Sequence, residues 1–438
     1  KNENNNETKE FLNAIAGALL AVLFIFTIVV LIFTPVFILI FAPGFYIDPA
    51  KKDLSIQVLR IMFPYLALIS LVAFASGIQN THQKFSIPAF TPVVFNVILI
   101  VAASVIAPNY NMPILVLAWG VLLAGFVQLI IQISPLINID KLPVPKLDFH
   151  NEGVKKFMTI ILPAIIAGGI LQINLLIDTI FASLLETGSP TWLYISDRLI
   201  QFPMGIFAIA IGTVLLPTLS KYDLSTEKNN FVSTIKKGQK FVLFIGIPSL
   251  IGLFYCAEDL ISTIFYRGAF TEADVINSSY SLMAFSFGLP FFMLMKVLTP
   301  AFFSRKDTTT PMRVALISLF LNAALNYYLA FVLDLGHVGI AIGSSLAAFV
   351  SVCILELILY RSGFIKSYSF VSRFSLMILV ASCSLALFLN FYTQKINFME
   401  LNHLDRILFL FIEVTIATLI YFTISRIIYG KSLRKIFE

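Results

Sequence analysis

The sequence predicts an all-α polytopic membrane protein, and three observations lead to that fold class. Of its 438 residues, 58% are hydrophobic and only 12% are charged, whereas a soluble domain carries about 25% charged residues. Long apolar stretches recur along the chain, each close to the ~20 residues that a helix needs to cross the hydrocarbon core. Basic residues are concentrated in alternate connections between these stretches. Lipid is therefore the expected solvent of the outer surface.

Twelve membrane-spanning helices are predicted from the apolar stretches. One set of alternate connections holds most of the basic residues, among them Lys84, Lys141, Lys236 and Arg305. Because positively charged connections stay in the cytoplasm, both termini are expected there, and an even number of spans agrees. The predicted spans lie near 11–41, 55–79, 92–107, 113–138, 157–185, 191–219, 238–257, 275–302, 312–333, 337–360, 371–392 and 404–429.

The chain repeats itself with an offset of about 223 residues. A junction between two predicted helices at 78–88 recurs at 301–311, and both copies start the next helix at a proline, the favoured first helical position. A shorter match joins 40–45 to 265–270. The alternative is that connections between membrane helices converge on Gly, Pro and Lys without any repeat.

If the repeat is a structural unit, it defines two pseudo-symmetric six-helix lobes followed by two extra C-terminal helices. The N-terminal lobe at 1–140 shows only four helices, so its first two helices, about 70 residues, are expected before residue 1. The C-terminal lobe covers 153–361, and the extra pair covers 371–429. Units with an even number of helices share one orientation, as in parallel-repeat transporters that bind substrate between their halves.

Polar side chains inside the predicted spans mark the candidate substrate site, because such groups are costly in hydrocarbon and usually face a cavity. The planar fork of Arg198 suits a pyrophosphate or a carboxylate, and Asp197 precedes it. Asn174 shares a helix face with Asp178 at i, i+4, and Gln172 lies elsewhere on the same helix. The alternative is that Asp197 and Arg198 only pair with neighbouring helices.

Lys296 and two asparagines are further candidates within the C-terminal lobe. Lys296 lies several residues from a helix end, where its side chain could instead snorkel to the surface. Asn322 and Asn326, spaced i, i+4, could coordinate a hard monovalent cation through oxygen together with Asp178. The competing explanation is ordinary hydrogen bonding between helices, which is common for asparagine in membranes.

Several kinds of chemistry are excluded by the motifs. The three cysteines and four histidines are scattered without metal-ligand spacing, so no metal site is expected. No GxxxxGKS or GxxxxGKT loop occurs, and no nucleophile–base set or pair of catalytic carboxylates can be assembled. The protein is therefore expected to be a transporter and not an enzyme, driven by an ion gradient, the membrane potential or substrate supply.

Four segments resemble the MurJ/MviN family, the bacterial lipid II flippases of the multidrug/oligosaccharidyl-lipid/polysaccharide exporter superfamily. They are FPY at 63–65, FSIPAF at 85–90, SDRLIQFP at 196–203 and FSRKDTTTP at 303–311. The resemblance covers essentially the whole chain. It implies fourteen helices in two six-helix lobes plus two C-terminal helices, a pair associated in the family with a groove for the lipid tail.

The resemblance also implies a function and roles for particular residues. Lipid II, the undecaprenyl-pyrophosphate-linked peptidoglycan precursor, would move from the inner to the outer leaflet of the cytoplasmic membrane by alternating access. Arg198 matches a cavity arginine assigned to the pyrophosphate, with Asp197 beside it and Gln201 where some members have Glu. Some members bind sodium in the C-terminal lobe, where Asp178 and the two asparagines could form such a site. We expect a monomer in contact with membrane lipids, with no cofactor and no nucleic-acid partner, coupled to Na⁺, H⁺ or the membrane potential.

Two other functions are left open by the residues. An ion-coupled multidrug or polysaccharide-lipid exporter of the same superfamily normally stops at two six-helix lobes, so the extra C-terminal helices count against it. A membrane-embedded glycosyl or acyl transferase would need an acidic or histidine-containing cluster at one membrane face, and the sequence shows none.

Overall fold

All regular secondary structure is helical in the residues that the structure, a computed structural model, describes: 2–148, 152–365 and 373–429. Within them, eleven helices are long and apolar enough to cross a membrane. The predicted all-α polytopic membrane fold is thus confirmed. The further span predicted at 157–185 falls on α8 (Glu152–Ser183), and many side chains of that helix lie outside the described residues.

One compact unit covers 1–169. The helix predicted at 11–41 is interrupted at Phe33, because Pro35 has no N–H to donate and its ring clashes with the preceding turn. The helices of this unit that precede α8 are α1 (Asn2–Ile32), α2 (Thr34–Phe41), α3 (Pro43–Ile47), α4 (Pro49–Met62), α5 (Tyr65–Thr81), α6 (Ser86–Val101) and α7 (Pro113–Asn138).

The other compact unit covers 170–438. Its central helix is α13, which is buried along its length and packs against α9, α11 and α15. The last two helices pack on each other and on α11 and α12. After α8, the helices are α9 (Ser189–Pro203), α10 (Ile209–Ser220), α11 (Lys228–Tyr255), α12 (Ala257–Phe265), α13 (Glu272–Phe303), α14 (Thr309–Tyr327), α15 (Gly336–Arg361), α16 (Arg373–Thr393) and α17 (His403–Tyr429).

The backbone repeats its turns at the offset that the sequence suggests. Gln83 after α5 and Lys306 after α13 both adopt left-handed conformations, with φ of 59° and 61°, and they lie 223 positions apart (306 minus 83). In each turn the next amide donates to a carbonyl oxygen five positions back, over 2.9 Å and 3.1 Å, as in a Schellman helix end. Asp140 and Gly363, also 223 apart, share a left-handed φ of 55° and 70°. The domain bounds drawn from this repeat stay a prediction.

The two units fill equivalent core positions with different chemistry. In the first unit, Gln79 donates to Gln132, which in turn donates to the Thr91 hydroxyl over 3.0 Å, and all three side chains are buried. This network joins α5, α6 and α7 through hydrogen bonds. The residues 223 positions later are buried and apolar: Phe302, Leu355 and Val314.

Candidate functional site

A polar face on α9 holds the predicted substrate residues Asp197, Arg198 and Gln201. The opposite face of α9 is anchored, because the Ser196 hydroxyl donates to the carbonyl of Ser278 on α13 over 2.7 Å. Gln201 donates to the Asp197 carboxylate and accepts from Arg198 Nη1 over 3.4 Å. The bond to α13 thus fixes the rotation of α9, so that its polar face points away from α13.

The guanidinium of Arg198 is oriented but not neutralised. It lies over the ring of Tyr194, 4.7 Å from the ring centroid, and its side chain is exposed within its unit. No carboxylate oxygen lies within 4 Å of it among the described residues, whose ion pairs are Lys9–Asp140 and Lys51–Asp48. A fork of N–H donors without a carboxylate partner is suited to an incoming anion.

A change of helical pitch follows this polar face immediately. Pro203 ends α9, and 204–208 form a single π-helical turn before α10 begins at Ile209. Gly205 lies inside this turn, and Gly212 follows within α10. A proline removes one backbone hydrogen bond, and π turns inside helices are frequent at functional sites.

The other predicted substrate residues do not join the α9 cluster through any described hydrogen bond or ion pair. Lys296 is exposed on α13, and its backbone carbonyl lies against Gly212 of α10. Asn174 is half-buried and Gln172 is exposed on α8. Their predicted roles stay predictions.

The predicted ion-binding residues do come together, in a closed ring of hydrogen bonds. Asn326 donates to the Asp178 carboxylate over 2.6 Å and to Asn322 over 3.0 Å. Asn322 donates to the Ser344 hydroxyl over 2.9 Å, and Ser344 donates to the other oxygen of Asp178 over 3.3 Å. Three helices, α8, α14 and α15, meet at this ring.

The donor set of this ring suits a hard cation. Asp178, Asn322, Asn326 and Ser344 offer carboxylate, amide and hydroxyl oxygens, the ligands that hard cations prefer. Oδ1 of Asn326 is buried and accepts no hydrogen bond from the described residues. A Cβ at Gly343 would collide with that oxygen, so glycine is required there. Sequence reasoning missed Ser344 and Gly343, because neither residue type is unusual in a membrane helix.

An apolar cavity of about 830 Å³ lies between α11, α13, α15 and α16. The polar side chains that line it are Tyr280, Ser345 and Ser375, and Ser345 donates to the carbonyl of Ala284. The sequence predicted no such cavity from its residues, although the family resemblance implied a lipid groove at the C-terminal helices. Large side chains that line it include Ile247, Tyr280, Phe287, Phe291, Phe349 and Leu379.

Comparison with known protein families shows the family to which the chain belongs. The model of the family described as "Lipid II flippase MurJ" matches residues 1–408. The chain belongs to the lipid II flippase MurJ family. A probable lipid II flippase MurJ of Vibrio cholerae is 39% identical over 382 residues, covering 85% of this chain and 72% of that protein. One of Haemophilus influenzae is 34% identical over 435 residues, covering 95% and 84%.

Solved structures agree with membership of the MurJ family. A lipid II flippase MurJ in an inward closed conformation matches with a TM-score of 0.80 and 25% identity, covering 98% of this chain and 85% of that one. An inward-facing transporter of the multidrug resistance MATE family matches with a TM-score of 0.64 and 13% identity, covering 80% and 81%. The second likeness shows a shared fold alone.

Proposed function

We propose that this protein translocates lipid II from the inner to the outer leaflet of the bacterial cytoplasmic membrane by alternating access. The observation that carries the proposal is the α9 polar face, where Arg198 presents a guanidinium without a carboxylate partner on a membrane-spanning helix. Membership of the MurJ family supports it, as does the resemblance of SDRLIQFP at 196–203 to the family's motif. The multidrug-exporter alternative rests on a shared fold alone.

We assign the pyrophosphate of the substrate to Arg198. A guanidinium keeps its charge at any pH of interest and binds phosphate oxygens through two parallel N–H bonds. Gln201 bonds both Asp197 and Arg198, so it holds the arginine away from direct neutralisation by its neighbour. The nearby carboxylate would keep the bound anion from being held too tightly for release.

The apolar cavity beside α16 is the proposed resting place of the lipid tail. The tail never has to leave an apolar medium, because the cavity is lined by aliphatic and aromatic side chains. Only the head group then has to cross, and only the head group needs polar contacts. This division explains why the charged face on α9 and the apolar cavity are built from different helices.

We further propose that the Asp178 ring binds Na⁺, with Asn322, Asn326 and Ser344 as the other oxygen ligands, or takes up H⁺ in its place. A bound cation would compensate the Asp178 charge and use the oxygen of Asn326 that lacks a donor. No chemical reaction is assigned to the protein, and we infer a monomer with both termini in the cytoplasm and no nucleic-acid partner.

Depletion of the protein in its own cells tests the proposal. Lipid II should accumulate in the inner leaflet when the two leaflets are assayed separately. Re-expression of the native protein should restore lipid II in the outer leaflet. Arg267→Ala, a control that removes an exposed loop arginine, should restore it equally well. The Arg198→Ala protein should reach the membrane in normal amounts but should not restore outer-leaflet lipid II. Arg198→Lys should restore only part of it, because an ammonium cannot bind a phosphate bidentately. Unchanged leaflet distribution on depletion would refute the function, and full rescue by Arg198→Ala would refute the assignment.

A further inference from the structure

Two buried carboxyl groups meet where α17 packs on α12, and neither belongs to the proposed transport site. Asp259 lies in the first turn of α12 and is 5% exposed, while Glu413 on α17 is 0% exposed. The two carboxyls face each other within hydrogen-bonding reach. The thiol of Cys256, which precedes α12, donates to Glu413 Oε1 over 3.2 Å. One of the two extra C-terminal helices is thus joined to α12 through a pair of acids.

One oxygen of each acid lacks a hydrogen-bond donor. Oδ2 of Asp259 and Oε2 of Glu413 are buried and accept no hydrogen bond from any described residue. Ionised carboxylates can only accept, and two of them at contact in a buried site cannot both stay ionised. A single proton between the carboxyls supplies the missing donor and removes one of the two charges.

No basic side chain among the described residues compensates the pair. Arg406, buried on α17, donates instead to four backbone carbonyls at 2.7 to 3.3 Å, two of them at the C-terminal end of α12. The other titratable groups around the acids bring no positive charge: Cys256, Glu258 and Tyr392, with Glu272 beside Glu258. Protonation is therefore the means of neutralisation that these residues provide.

The helix α12 itself favours one negative charge at this place. Asp259 lies at its N-terminal end, where free backbone N–H groups and the helix dipole stabilise an anion. Arg406 lies at its C-terminal end, where free carbonyl groups and the dipole stabilise a cation. Two full charges at the N-terminal end would repel each other more than the dipole attracts them. A pair that holds one proton carries a single charge and matches the helix.

We propose that Asp259 and Glu413 share one proton, and that this proton is the ligand that keeps α17 packed on α12. Its loss leaves two carboxylates in contact and opens this joint between the C-terminal helices and the rest of their unit. Such a joint responds to the proton concentration on the side of the membrane that reaches α12.

The direction of the pH dependence follows from the acid pair. Burial, with the Glu413 charge as a second cause, raises the pKa of Asp259 from 3.8 to about 8. The folded protein therefore binds a proton that the unfolded chain releases between these values. The stabilisation is complete below pH 3.8 and is lost as the pH rises through about 8.

Infrared spectroscopy of the whole protein in lipid nanodiscs tests the shared proton. At neutral pH the native protein should show the C=O stretch of a buried, protonated carboxylic acid, and this band should disappear as the pH rises through about 8. Difference spectra against the native protein separate this band from any band of a protonated Asp178. Asp259→Asn and Glu413→Gln should each remove it, because the remaining carboxylate accepts an N–H and ionises. Glu258→Gln, a neighbouring acid outside the pair, should keep it. Absence of the band in the native protein, or its survival in both pair variants, would overturn the proposal.

Hydrogen–deuterium exchange tests the joint itself. After correction for the intrinsic pH dependence of exchange, the amides of α12 should exchange at least tenfold faster at pH 9 than at pH 6 in the native protein and in Glu258→Gln. In Asp259→Asn the amide donates permanently to Glu413, so the two rates should agree. If Asp259→Asn does not fold, Glu413→Gln gives the same comparison. Equal native rates at both pH values would contradict a proton-held joint.

Discussion

At the scale of single residues, the structure separates the proposed substrate residue from the proposed ion-binding residues of the same unit. Arg198 keeps its charge available because its contacts are an amide and an aromatic ring. Asp178 does the opposite, since three side chains close a ring around its carboxylate. These two environments fit the proposed roles, Arg198 for an anion that binds and leaves and Asp178 for a small ion held at a fixed place.

A methyl group at Gly343 gives a sharp test of the Asp178 ring. In the native protein, NaCl should raise the melting temperature above that in choline chloride, since saturation at ~100-fold over Kd stabilises by about 2.7 kcal/mol. Gly343→Ala should lose that Na⁺ effect, because its Cβ displaces Oδ1 of Asn326, and should destabilise by about 1–3 kcal/mol through overpacking.

Gly252→Ala is the matched control for Gly343→Ala. It lies inside α11 with nothing near the added methyl group, so it should keep the Na⁺ effect and gain up to about 1 kcal/mol of helix stability. A native protein with equal melting temperatures in both salts would count against Na⁺ at this ring.

The sequence placed Asn322 and Asn326 on one helix face from their i, i+4 spacing. In the structure Asn326 donates to both Asn322 and Asp178, and their ion-binding role stays a prediction. Ser344 was not predicted, because it comes from a third helix and only packing places it in the ring. No pattern could pair Asp259 with Glu413, since their contact depends on how α17 lies on α12.

At the scale of helices, the ends are as informative as the spans. The left-handed turn residues Gln83 and Lys306 each end a helix at equivalent positions of the repeat. A residue with a Cβ pays a conformational penalty there that glycine does not.

Gln83→Gly should therefore stabilise the protein by about 1 kcal/mol, the lower end of the cost of a left-handed conformation for a residue with a Cβ. Gln83→Ala should give no gain because it keeps the Cβ. The two variants carry the same charge as the native side chain, so chemical denaturation of all three proteins isolates the backbone effect. Equal stability of the glycine and alanine variants would argue against strain at this turn.

Hydropathy predicted most helices because lipid demands about 20 apolar residues per span whatever the neighbouring helices are. It missed the interruption at Phe33, where a single proline outweighs an unbroken apolar run. It also missed the π turns at 102–106 and 328–332, since apolar periodicity does not distinguish one helical pitch from another over five residues.

At the scale of the whole molecule, the distribution of basic residues predicts the orientation. Cysteines placed at Ser225 and Lys395, two exposed loop positions, report on opposite sides of the membrane when Cys256, Cys353 and Cys383 are replaced by alanine. A membrane-impermeant maleimide should label Lys395→Cys in spheroplasts, and Ser225→Cys only after the membrane is opened. Labelling of Ser225→Cys in sealed spheroplasts would reverse the orientation.

The fold class and the family were within reach of the sequence because they depend on composition and on short motifs. The apolar cavity was not, because its lining comes from four helices whose relative packing no local pattern encodes. Lys296 shows that a sequence pattern can also suggest a role that no described contact supports. Its charge inside a span suggested a function, yet no described contact links it to either cluster.

The two cores built on one repeat cannot exchange their residues singly. Phenylalanine at Gln79 alone would leave the amide of Gln132 without its donor, and glutamine at Phe302 alone would bury an amide with no partner, each a penalty of about 1–3 kcal/mol. Replacing Gln79, Thr91 and Gln132 together by Phe, Val and Leu removes all three side chains of the network at once. The two units therefore share a turn but pack their cores differently, and one core could change into the other only through several substitutions made together.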